Sequence, residues 1–269
     1  MHSGNVRQAV ASFDSALAID AGRHDADAGR RAAFNATPRG EAAIWYGSTS
    51  NADSGLRLAE FAWWVGGDTR LSARYDNSLS LDNPALARQG ESAETYSAGA
   101  LYQFTDNISG NVEIGRRLLP DGDQDLYRGE VVLGGLPGRL TLGAQLGAHE
   151  LGYDDNLWYL GVGIPFLDHW QVESNNYFST TGIDRDDEWR SVLNVIYTAG
   201  AGWELLAGGG YGEVSTVDTL NPQSVKVAHA MLSVPIFGFH RLNVMFRHED
   251  GPAGDFNVAM LGMTLRLPK

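Results

Sequence analysis

The residues in this 269-residue chain that could do chemistry are five histidines along its second half and a scatter of Arg, Glu, Asn and Gln. His149, His169, His229, His240 and His248 fall on separate segments, with no metal-ligand spacing. His149 with Asp154 and Asp155 supplies two parts of a hydrolytic triad, but no G-x-S-x-G elbow places a serine beside them. The D-x-D-x-D run at Asp121, Asp123 and Asp125 lacks the Gly and distal Glu of a calcium loop. With no cysteine there is no thiolate site and no disulfide. The sequence therefore predicts no catalytic residue, no metal and no cofactor, and the chain is read as a non-enzyme. What remains is a set of polar residues recurring at every second position: Glu60, Arg70, Arg74, Glu113, Arg117, Arg128, Glu130, Arg139, Gln171, Glu173, Asn175, Tyr177, Arg190, Asn194, Glu204, Arg241, Asn243 and Arg247, with His169 and Arg266.

A period of two is the period of a β-strand. From residue 41 onward, alternation and turn residues give about fourteen strands, with twelve or sixteen as the neighbouring counts. They are read at 42–49, 55–65, 69–77, 94–104, 107–117, 126–134, 139–149, 156–164, 169–179, 188–198, 202–213, 224–235, 239–248 and 256–267. The connections alternate. Short ones fall at Gly66 to Asp68, Thr105-Asp106, Gly135 to Gly138, Pro165 to Asp168, Ala199 to Ala201 and Ile236 to Gly238; long ones fall at 50–54, 78–93, 118–125, 150–155, 180–187, 214–223 and 249–255. Membrane barrels have short turns at one end and long loops at the other.

No stretch approaches the roughly 18 apolar residues of a membrane helix. Mean hydropathy is −0.23, but an apolar-out, polar-in strand averages to nothing on such a scale. Leu140, Leu142, Ala144 and Leu146 alternate with Thr141, Gln145 and His149. Two rows of aromatics flank the strands: Trp63, Tyr102, Phe104, Phe166, Trp170, Tyr197, Trp203 and Phe239 by the short turns, and Trp45, Tyr96, Tyr127, Trp158, Trp189, Tyr211, Phe246 and Phe256 by the long loops. Rings at both boundaries suit two membrane interfaces, whereas a sandwich core would hold them mid-strand. The expected fold is an all-β, antiparallel, up-and-down transmembrane barrel over 41–269, in the outer membrane of a Gram-negative cell, with both termini periplasmic and lipid and lipopolysaccharide as neighbours.

A fourteen-stranded barrel has a backbone radius of roughly 14 Å, too wide for side chains alone to fill. The polar set is therefore expected to line a wet lumen narrowed by long Arg and Glu chains, and the sequence leaves open both a salt-bridged filling that plugs the barrel and a polar conduit through it. The net charge of −13 excludes nucleic acid as a partner. Asp121, Asp123, Asp125, Asp154, Asp155, Asp184, Asp186, Asp187, Glu188, Glu249, Asp250 and Asp255 place much of that charge on the long loops.

Residues 4–21, GNVRQAVASFDSALAIDA, carry Gly4, Ala9, Phe13, Ala16 and Leu17 at helical spacing, and a second helical stretch runs from Ala26 to Ala36. The first resembles the second half of a tetratricopeptide repeat. Thr37-Pro38-Arg39-Gly40 ends the helical region, so 1–40 is read as a periplasmic repeat-like remnant and linker. Met1-His2-Ser3 leads straight into it without a signal peptide, as expected of a processed form or a fragment. At the other end, Gly262-x-x-Leu265-x-Leu267 resembles the terminal-strand pattern recognised by the barrel assembly machinery.

A repeat-like helix followed by a barrel resembles the YaiO family, and in plan the repeat-plus-barrel exporters of exopolysaccharides such as poly-N-acetylglucosamine and cellulose. The resemblance implies an outer-membrane channel for polysaccharide, with periplasmic or inner-membrane synthase components as partners. A porin-like passive channel, and a structural barrel that anchors a repeat domain or serves as a surface receptor, are the rival classes.

Overall fold

The computed structural model describes residues 12–13, 15–19, 39–50, 52–65, 68–77, 93–119, 122–136, 138–180, 182, 187–199, 202–215, 222–236, 240–251 and 254–267. Fourteen strands follow one another: β1 (Gly40–Thr49), β2 (Ala52–Val65), β3 (Thr69–Asp76), β4 (Glu94–Thr105), β5 (Ile108–Leu118), β6 (Gln124–Leu136), β7 (Gly138–His149), β8 (Asp154–Leu167), β9 (Trp170–Thr180), β10 (Asp187–Thr198), β11 (Glu204–Ser215), β12 (Gln223–Ile236), β13 (His240–Asp250) and β14 (Phe256–Leu267). Each pairs antiparallel with its sequence neighbours, and β1 pairs with β14 from Gly40↔Leu267 to Thr49↔Val258, so the sheet closes as an up-and-down barrel. Closure leaves no unpaired strand edge, the condition for a sheet to cross hydrocarbon.

The helical reading of 4–21 meets described residues at 12–13 and 15–19, which are helical; the stretch 26–36 lies outside the described residues.

The short turns sit at one end. Asp106-Asn107 joins β4 to β5, and Gly202, at φ +84, turns the chain into β11 while its N–H donates to the Ala199 carbonyl at 2.8 Å. That left-handed φ suits Gly and strains other residues. One connection differs from its expectation. Residues 50–54 read as a long loop by composition, yet β2 starts at Ala52 because Gly47↔Gly55 and Thr49↔Ala52 extend the ladder. Trp45 pairs with Leu58 and Tyr46 with Leu56, so Arg57 is the extra residue of a bulge; it is 3% exposed and donates to the Gly47 carbonyl at 3.2 Å.

The two faces separate by parity. Val112 and Ile114 on β5 are each 63% exposed, where a water-soluble sheet would bury them. Leu142, Leu193, Val244 and Leu261 are exposed in the same outward register. Outward rings gather at both ends: Tyr102 with Phe104 (centroids 5.0 Å apart) and Trp170 with Tyr197 (4.8 Å) near the short turns, Trp189 with Tyr211 (5.8 Å) near the long loops. Phe239 lies outside the described residues.

Trp45 and Phe256 correct the expected outer ring, since both have inward parity. Trp45 lies opposite Gly262, where a Cβ would come within 2.4 Å of the indole; the missing side chain is what admits the ring. Phe256 is 2% exposed and packs with Val258 and with Ala93, which precedes β4.

Candidate functional site

The inner surface has two levels. Toward the long loops, apolar inward residues are buried: Leu126, Leu157, Val192, Val214, Val225, Val227, Phe256 and Val258. Leu119, Met245 and Met260 pack on the Phe256 cluster, so residues flanking β4 and β5 meet β13 and β14 across the mouth. At this level the described inward side chains are buried and meet across the barrel, which favours the plugged alternative at this end.

The same level holds an ionic knot. Arg190 on β10 donates to Glu188 at 2.7 Å and reaches Glu249 on β13 at 3.0 and 3.1 Å; Arg247 also binds Glu249. The four side chains are at most 5% exposed. Strands β11 and β12 lie between, and β11 offers Gly212 there, where a Cβ would sit 2.2 Å from the Trp189 carbonyl and 3.0 Å from the Arg190 Cα. Glu188 and Glu249 were expected on the acidic loops. Their parity, two residues from Arg190 and Arg247, turns them inside. Across the barrel, Arg117 donates to Gln124 (2.8 Å), and Gln124 donates to Asp155 (2.7 Å).

Toward the short turns the interior is polar and roomier. A cavity of about 280 Å³ is lined by Arg128, Glu130, Val132, Arg139, Thr141, Tyr159, Asn175 and Tyr177. Its size is near the lower end of small-molecule sites, roughly 300 Å³. The Tyr159 hydroxyl donates to Glu130 at 2.7 Å and accepts from Arg128 Nε at 3.0 Å. The Arg128 guanidinium carbon is also 5.0 Å from the Tyr159 ring centre, and the Tyr177 ring lies 6.2 Å from that of Tyr159. Arg139 pairs with Glu173 (3.2 Å), which also accepts from Gln171 (2.6 Å). Each described cation here has a carboxylate beside it, so the wall offers many donors and acceptors with little field of one sign. Two rings and neutralised polar groups suit a hydroxyl-rich, uncharged solute.

The remaining sequence-predicted residues lie around the same inner wall. Glu60 pairs with Arg70, and Arg74 with Asp76. Glu113 stands opposite Arg128 in register, and Asn194 bonds His229 at 2.8 Å. Arg241 donates to Ser233 at 2.7 Å, Asn243 to Thr264 at 3.1 Å, and Arg266 to Glu41 at 2.8 Å. Glu204 begins β11, opposite Ser233. His169 departs from expectation: it sits exposed in the β8–β9 turn, 6.1 Å from the ring of outward-facing Tyr197. Among the described residues, no three His, Asp or Glu gather as metal ligands.

Sequence reading missed Arg57, Gln124 and Tyr159, and placed Asp155 on an outer loop, whereas it accepts from Gln124 on the inner wall. A legible signal existed for Tyr159: Gly143 stands opposite it, and a Cβ there would lie 2.0 Å from the ring. Gly143→Val is expected to displace the Tyr159 ring and cost about 1–3 kcal/mol. Gly129→Ala, where nothing lies within 4 Å, is expected to be neutral. The urea midpoint of the refolded barrel checks both; equal midpoints would contradict the packing of Tyr159 on Gly143.

No protein-family description and no curated protein matches the sequence. Solved structures do match in fold. A bacterial polysaccharide outer-membrane secretin aligns at TM-score 0.58 with 12% identity, covering 87% of this chain and 99% of the other. The toluene transporter TbuX of Ralstonia pickettii aligns at 0.58 with 10% identity, covering 88% and 92%. The monoaromatic hydrocarbon channel CymD aligns at 0.57 with 10% identity, covering 89% and 92%. What this chain shares with these proteins is the closed antiparallel barrel.

Proposed function

We propose that the protein is an outer-membrane channel of an exopolysaccharide secretion system, with polymer entering at the short-turn, periplasmic mouth. The observation that carries this reading is the polar cavity, where Tyr159 and Tyr177 lie among paired Arg, Glu and Asn. The likeness in fold to a polysaccharide secretin supports it, as does the repeat-like helix ahead of the barrel. The likeness to hydrocarbon channels is equal in extent, but a hydrocarbon would leave the cavity's donors and acceptors unsatisfied. Lipopolysaccharide and phospholipid surround the barrel, and synthase components stand in the periplasm or inner membrane.

Oligomers of glucose and of N-acetylglucosamine are the probes. In purified barrel, at least one series is expected to bind, and Tyr159→Ala with Tyr177→Ala to weaken binding about tenfold, the equivalent of about 1.4 kcal/mol. Binding of neither series, or binding untouched by the double substitution, contradicts the reading.

The buried mouth favours a second reading, a permanently shut barrel that anchors periplasmic repeats or acts as a receptor. Planar-bilayer conductance separates the two. A channel opens in steps when voltage or oligosaccharide is applied, as a porin-like channel also would; a shut anchor stays silent.

The orientation has its own test. A protease site inserted at Gly152, in the β7–β8 loop, is expected to be cut in intact cells, and one at His169, in the β8–β9 turn, to be protected. Equal cutting, or the reverse, contradicts the topology.

A further inference from the structure

One hollow of the described residues lies outside the barrel. A trough of about 980 Å³ runs diagonally over β4 to β9 on the outward face. Among Val112, Val131, Leu142 and Leu160, its floor dips at residues with almost no side chain: Gly110 and Gly129, with Ala144 beside Gly129 in register. A Cβ at Gly129 would meet nothing within 4 Å, so the space over it is open. Tyr102 and Trp158, 47% and 60% exposed, stand at its two ends.

We propose that the trough binds one acyl chain of a phospholipid from the short-turn leaflet, held as a resident lipid rather than as passing solvent. The inference rests on the membrane reading, under which acyl chains are what this band touches. Its shape favours a single extended chain, because Gly110, Gly129 and Ala144 lower the floor on three successive strands between Tyr102 and Trp158. Charge selects the leaflet. At the long-loop rim of the same strands, exposed Arg116 is surrounded by Asp123 (2.8 Å), Asp125 (3.4 Å) and Glu150. One cation against three carboxylates repels the phosphates of a lipopolysaccharide head. At the opposite end, the β4–β5 and β8–β9 turns carry one carboxylate each, Asp106 and Asp168, and they stand apart rather than clustered, so a zwitterionic head meets less repulsion there.

Native mass spectrometry of the barrel, purified from outer membranes in mild detergent, tests this. Wild-type protein is expected to carry one phospholipid. Gly129→Leu and Ala144→Leu, each filling the floor, are expected to lower the lipid-bearing fraction about tenfold, the fold-change that about 1.4 kcal/mol of lost burial gives. Val244→Leu, outside the trough, leaves it unchanged. Lipopolysaccharide as the retained lipid, absence of any lipid, equal retention in the filled variants, or a dimer that the filled variants abolish would each overturn the proposal. Heat-modifiable migration reports folding of every variant. Recovery in the membrane fraction is read separately, so loss of insertion fails the membrane reading, whereas an inserted barrel with an unchanged adduct fails only this one.

Discussion

Ala144→Arg is expected to remove roughly 2–4 kcal/mol of barrel stability, the cost of Arg near the bilayer midplane of a lipid-facing wall. Ala144 lies mid-strand on β7 with outward parity, between Gly129 and Trp158 in register. Gln145→Arg, one residue on, faces the half-buried interior beside Arg128 and Leu157 in register, with Glu113 opposite Arg128 on the next strand, and not lipid; it is expected to cost well under half as much. Urea titration in lipid vesicles, scored by heat-modifiable migration, reads both. Equal losses would mean that the two faces are not distinguished by lipid, and the transmembrane account would fall.

Arg190→Ala is expected to cost about 3–5 kcal/mol, because it leaves Glu188 and Glu249 charged in a buried site. The charge-balanced pair Arg190→Met with Glu188→Gln removes one cation and one anion and leaves Arg247 on Glu249. It is expected to cost markedly less than the single substitution, since a buried pair replaced by neutral groups is often close to neutral. The same titration checks this. If the single and double variants both lose under about 1 kcal/mol, the knot behaves as a wet surface pair, and the long-loop mouth is open rather than filled.

The fold was largely legible from the strand period and from the alternation of short and long connections, because a membrane barrel writes both into its sequence. Composition misled at specific places. Ser54 and its polar neighbours look like loop, but Gly55 can pair closely with Gly47, and backbone pairing decided. Glu188 and Glu249 look like two more acidic loop residues; only their parity with Arg190 and Arg247 marks them as interior. Trp45 required knowledge of its cross-strand partner Gly262, which depends on the closure between β1 and β14 and so on a register about 220 residues apart. The filled mouth was invisible to an estimate from radius, which counts strands and not the inward reach of Ala93, Leu119 and Phe256. For the cavity, alternation supplied Arg128, Glu130, Arg139, Asn175 and Tyr177, and the missing piece was Tyr159 over Gly143.

Secreted polymer measures the central claim most directly. In the native host, deletion of the gene is expected to lower surface and secreted polysaccharide several-fold while total synthesis continues, so that polymer accumulates behind the outer membrane. Restoring the wild-type chain recovers secretion; restoring the Tyr159→Ala, Tyr177→Ala chain, folded and inserted, does not. Unchanged secretion after deletion, or full recovery by the cavity variant, would contradict passage of polysaccharide through this barrel.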